Sequence, residues 1–174
     1  MTRRTFARTL GLPLVILGAW GGIVPFVGPT FGYPMPAGSH IPAWQWSTSH
    51  LELHLLPAIA AVAGGLALLG AVRPGLERAG ALLGLGAGIW FVLGPVFSPA
   101  FLGGGGGMKP IASTFMTVVT PLGYHYGTGV TMAIIAAAAL GLLARERPEE
   151  APVRERDQRL AEAPLARERE PLGV

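Results

Sequence analysis

Four uncharged, predominantly apolar stretches dominate the chain, from about Thr9 to Val27, Leu51 to Val72, Ala79 to Phe97 and Pro121 to Ala144. Each is close to the roughly 20 residues a helix needs to cross the hydrocarbon core of a bilayer. All are rich in Gly and Ala, and the first carries Pro13 and Pro25, residues that membrane helices accommodate better than soluble ones. The pattern predicts an all-α integral membrane four-helix bundle made of two hairpins. Residues 1–76 form the first hairpin, residues 77–144 the second, and residues 145–174 a tail.

Charge sharpens this picture. Only 13% of residues are charged and 51% are hydrophobic, against about 25% charged in an average soluble domain. The segment from Arg145 onward holds seven Arg and eight acids, leaving six basic and two acidic residues before it. Arg3, Arg4 and Arg8 precede the first span, Arg73 and Arg78 lie between the second and third, and Arg145 and Arg147 follow the fourth; Lys109 alone falls on the other side. The positive-inside rule then puts both termini in the cytoplasm and the two longer loops outside. Trp44, Trp46, Tyr124 and Tyr126 sit where an interfacial aromatic belt is expected. The tail mixes signs and contains Pro148, Pro152, Pro164 and Pro171, the composition of a solvated, disordered or partly helical segment. Its balanced charge argues against nucleic-acid binding, which needs a one-sided basic patch. Arg3-Arg4 before an apolar run resembles a twin-arginine export signal, with cleavage near Pro36-Ala37; ordinary topology setting accounts for the same residues.

The apolar pattern repeats. A shift of 66 residues matches Gly18 with Gly84, Gly22 with Gly88 and Pro29 with Pro95, and a shift of 75 matches His50 with His125 and Ala58 with Ala133. In this register Val24 stands opposite Trp90. Two tandem transmembrane hairpins, related by a pseudo-two-fold axis along the membrane normal, are expected, and a cleaved first span would break them. Gly18-x-x-x-Gly22 and Gly84-x-x-x-Gly88 are small-residue stripes that let helix backbones approach, so the first and third helices are expected to pack through them. Gly28-Pro29 and Gly94-Pro95 read as helix stops.

The run Trp90-Phe91-Val92-Leu93-Gly94-Pro95-Val96 resembles the Ser-Pro-Trp (SPW) repeat family of small prokaryotic membrane proteins. The resemblance covers both hairpins, roughly Leu10 to Leu143, with Gly94 in place of Ser and Val96 in place of Trp. It implies the two-helix repeat unit and no particular reaction.

Candidate chemistry gathers at one end. His40 lies in the first outer loop, His50 and His54 at the mouth of the second span, and His125 at the mouth of the fourth. His50 and His54 share a helix face, with Glu52 between them. His50, His54 and His125 are the candidate cofactor-binding residues, and with Glu52 the candidate metal ligands: imidazoles suit Cu or Zn, and two axial His hold haem in helical bundles. The competing reading is interfacial structure with no cofactor, and a Glu52–Lys109 ion pair tying down a loop. With no Cys, thiolate metal sites and disulfides are excluded. No Gly-x-Ser-x-Gly elbow or Gly-Lys-Thr phosphate loop is present, and Gly103 to Gly107 reads as a flexible loop. The leading expectation is a non-enzymatic assembly or accessory subunit of a prokaryotic inner membrane, surrounded by lipid and packing against itself or another membrane subunit through Gly/Ala-rich faces. A His-based metal or haem protein and a small oligomeric channel are the alternatives.

Overall fold

The computed structural model describes residues 2–33, 43–101 and 114–145. The expectations for His40, Lys109, the Gly103 to Gly107 run and the tail beyond Arg145 lie outside the described residues. Among the described residues all regular structure is helical. Four helical runs are long and apolar enough to cross a membrane: Arg3–Phe31, Thr48–Gly70, Gly75–Ser98 and Val118–Ala144, the first to fourth spans.

The first span joins α1 (Arg3–Thr9) to α2 (Gly11–Val27) and a 3-10 turn, Gly28–Phe31. Thr2 caps its start, its hydroxyl accepting the Thr5 amide at 3.1 Å, and Gly32 ends it in the left-handed conformation at φ 75°, where a side chain is disfavoured. The second span joins α3 (Thr48–His50), a π-turn (Leu51–Leu55) and α4 (Leu56–Gly70). The third is the single helix α5 (Pro74–Phe101). The fourth joins α6 (Thr114–Pro121), a second π-turn (Leu122–Tyr126) and α7 (Gly127–Ala144). The expected stop at Gly28-Pro29 is thus met, whereas α5 runs through Gly94-Pro95. A mid-helix Pro removes only the bond to the carbonyl four residues back, and a membrane helix can continue past it.

Consecutive spans pack side by side, and the fourth closes against the first more loosely. Lipid offers no hydrophobic drive between helices, so close backbone approach must hold them. One glycine pair marks each tight seam. A Cβ on Gly65 would stand 2.7 Å from the Gly11 carbonyl, one on Gly64 2.5 Å from the Gly80 carbonyl, and one on Gly88 2.7 Å from the Gly129 carbonyl. The small-residue stripes are therefore packing surfaces, but they do not meet each other as expected. Gly18 faces Ala61 and Val62, Gly22 faces Ala58, and Gly88 faces Ala133 and Gly129, all within their own hairpins. The first and third spans touch across the bundle centre instead at Leu14 beside Gly84 and at Gly21 beneath the Phe91 ring. These join a core that includes Leu68, Met132 and Ala136.

At the end carrying the N-terminus, Glu77 is buried between two arginines. Arg4 Nε donates to its two oxygens at 2.8 and 3.0 Å, Arg8 Nε donates at 2.6 Å, and the Arg8 guanidinium also reaches the Ala71 carbonyl. Arg4 and Arg8 are four apart on α1 and so share a face. Sequence reasoning took both as topology markers and passed over Glu77, the acid that pins α1 to the start of α5.

Candidate functional site

The two π-turns lie at the opposite end, and each carries a histidine at its fourth position, His54 and His125. A π-turn inserts a residue into the helical ladder, a costly feature frequent at functional sites. Both imidazoles are buried, with ring centroids 4.5 Å apart and planes tilted by 40°. Pro25 explains how His54 is held. It has no amide hydrogen to give the Gly21 carbonyl, and His54 Nδ1 lies 3.2 Å from that oxygen. Only an N–H can bond a carbonyl, so Nδ1 carries the proton and Nε2 the lone pair. That Nε2 and His125 Nδ1 are both buried without a hydrogen-bond partner. His50 lies beside the pair, its ring 6.2 Å from that of His54, with Nδ1 donating to the Gln45 carbonyl at 2.9 Å and the Phe26 ring 5.2 Å away.

Tyr124 belongs to this cluster and not to an interfacial belt. It is fully buried, its ring 5.8 Å from that of His54, and its hydroxyl lies 2.9 Å from the Tyr33 carbonyl and 3.2 Å from the Val24 carbonyl. Tyr33 stacks on Tyr124 and donates to the Val119 carbonyl at 2.9 Å; burial raises its phenol above the ordinary value. Gly28 and Gly123 leave the space these two hydroxyls fill. Trp44 and Trp46 are exposed, as a belt requires.

Two tryptophans tie the spans to the π-turns. Trp20 Nε1 donates to the Gly123 carbonyl at 3.0 Å, and Trp90 Nε1 donates to the Glu52 carbonyl at 2.8 Å. Gly123 and Glu52 are each the second residue of a π-turn.

The four expected metal ligands do not come together. Glu52 lines a groove of about 550 Å³ between the second and third spans, with Leu56, Ala60 and Trp90, away from the imidazoles. Among the described residues no three His, Cys, Asp or Glu converge on one point. A metal ion bonded to a nitrogen of each paired imidazole would lie about 2 Å from both, and this pair is the part of the expected ligand set that the structure brings together. No family model, curated protein or solved structure matches the chain.

Proposed function

We propose that this chain is a non-enzymatic, multi-pass protein of a prokaryotic inner membrane that acts as an assembly or accessory subunit, with the arginine-bearing end and both termini in the cytoplasm. The observation that carries the reading is how the polar groups are spent. Trp20, Trp90, Tyr33, Tyr124, Arg4, Arg8 and Glu77 all tie one span or turn to another. Meanwhile large apolar side chains such as Ile16, Ile23, Ile59, Leu82 and Ile134 face outward, the surface that lipid or a neighbouring subunit covers.

The bundle is read as two tandem hairpins, but in a register one helical turn from that of the bare sequence. A shift of 70 pairs Trp20 with Trp90, Pro25 with Pro95, Leu14 with Gly84 and Gly21 with Phe91, and a shift of 71 pairs His54 with His125 and Glu52 with Gly123. Three of these pairs, Leu14 with Gly84, Gly21 with Phe91 and His54 with His125, are in contact, as mates beside a two-fold axis must be. The two tryptophan bonds exchange under the same operation. The register also gives both hairpins the Trp-to-Pro spacing of the Trp90–Pro95 run, through Trp20 and Pro25, and that run is the one that resembles the SPW repeat.

The groove between the first and second spans, about 440 Å³ and lined by Gly18, Ala19, Gly22, Ile59 and Ala63 among others, is where a second copy is proposed to pack. Counting subunits per particle in lipid nanodiscs tests this. The wild type is expected to hold two or more copies, and Ala19→Phe with Ala63→Phe to lower the count at unchanged helicity. A monomer in lipid rejects self-assembly, and an unchanged count in the variant rejects this groove as the interface.

The orphaned His54 Nε2 and His125 Nδ1 favour a second reading, a metal ion bound between the paired imidazoles. Stoichiometric Cu or Zn that disappears in His54→Gln and His125→Gln supports it. A metal content independent of both residues rejects it.

A further inference from the structure

Under the two-fold just described, the grooves flanking the two tryptophan bonds are twins that differ in charge. The groove between the fourth and first spans, about 410 Å³, is lined by Leu17, Trp20, Gly123 and Thr131 among others. Its twin between the second and third spans has Glu52 where the first has Gly123, and Trp90 in place of Trp20. The Trp90 indole is held by its bond to the Glu52 carbonyl while its ring stays partly exposed, so a half-buried carboxylate and an indole edge the same opening. Below them the wall is apolar and shallow, formed by Leu56, Pro57, Ala60, Gly86 and Ala87. A carboxylate at the end of a membrane span is costly unless it meets a cation or water, and an indole face adds attraction for a cation.

We propose that this groove selects a membrane lipid with a primary ammonium headgroup, a phosphatidylethanolamine. The ammonium donates hydrogen bonds to the Glu52 carboxylate beside Trp90, and an acyl chain lies along Leu56, Ala60 and Gly86. A quaternary ammonium keeps the attraction of the indole face but has no N–H to donate, and an anionic headgroup is repelled, so the hydrogen bonds to Glu52 are what set phosphatidylethanolamine above phosphatidylcholine and phosphatidylglycerol. The twin groove, without a carboxylate, shows no such preference.

Native mass spectrometry of the full chain, equilibrated with equal amounts of the three lipids and then stripped stepwise, tests the assignment. One phosphatidylethanolamine per chain is expected to be retained. Glu52→Gln keeps the side chain's shape and the backbone bond to Trp90, and should weaken retention about tenfold. Gly86→Phe keeps the carboxylate but fills the groove, starting from a Cα with open space before it, and should abolish retention. Either phosphatidylglycerol or phosphatidylcholine held as strongly as phosphatidylethanolamine overturns the proposal. So does retention unchanged in both variants while their melting temperatures match wild type.

Discussion

The Glu77 site makes an unequal demand on its three partners. Its carboxylate is 1% exposed, whereas the side chains of Arg4 and Arg8 are 33% and 35% exposed. Removing one arginine leaves the carboxylate with the other. Arg4→Ala or Arg8→Ala should therefore cost only about 1 kcal/mol, the lost bond being discounted because the guanidinium is partly in water. Removing both strands a buried carboxylate, for which about 3–5 kcal/mol is the usual cost. The double variant should thus exceed the sum of the singles by at least about 1 kcal/mol. Glu77→Gln strands only two arginines that can turn to solvent, so about 1–2 kcal/mol is expected, less than the double arginine variant. Reversible unfolding in mixed micelles, followed by the fluorescence of the four Trp, gives all four values. The reasoning fails if the arginine effects simply add, or if Glu77→Gln is the most damaging of the set.

The seams make two further demands. Gly64→Ala places a methyl 2.5 Å from the Gly80 carbonyl and should destabilise by about 1–3 kcal/mol, whereas Gly86→Ala meets no atom within 4 Å and should be neutral or stabilising by up to about 1 kcal/mol; equal effects in the same unfolding assay would show that the backbones are not this close. Trp20→Phe and Trp90→Phe each delete one bond to a π-turn carbonyl and should cost a similar 0.5–1.5 kcal/mol, roughly, so a response confined to one of them would contradict the equivalence of the two turns.

The four spans were legible because a bilayer imposes a length and a polarity that no local propensity can override. The register proposed above was not. The sequence matches at shifts of 66 and 75, whereas the facing pairs fit the proposed 70 and 71, a difference of four residues in each half and of opposite sign. Four residues is about one helical turn, so a Gly/Ala/Leu stripe slipped by that amount still lies on itself, and only the sparse residues Trp20, Pro25 and His54 distinguish the registers. Half of the His cluster was visible as clustering near one end. Glu52 stands outside it because residues two apart on a helix point to nearly opposite faces, so lying between His50 and His54 in sequence does not put its carboxylate between them in space; the π-turns themselves leave no mark in an apolar pattern. Tyr124 was misplaced and Glu77 passed over for a shared reason. Near a span end a polar residue has water within reach, and only the tertiary fold decides whether it turns outward or inward.

The clearest break in the proposed two-fold concerns the histidines. Pro25 frees the Gly21 carbonyl and His54 takes it, whereas Pro95 frees the equivalent Phe91 carbonyl and His125 Nδ1 stays unpaired. If Pro25 serves to present a carbonyl to His54, the two residues must be coupled. In the wild type, His54→Phe strands the Gly21 oxygen in the bundle core. In a Pro25→Ala background the restored amide of residue 25 takes that oxygen, so the same His54 substitution should cost about 1 kcal/mol less. A double-mutant cycle measures this difference directly, and a coupling indistinguishable from zero would mean that the proline and the histidine are adjacent without acting on the same carbonyl. The equivalent cycle on Pro95 and His125 should show none, since there the ring makes no bond for the amide to replace.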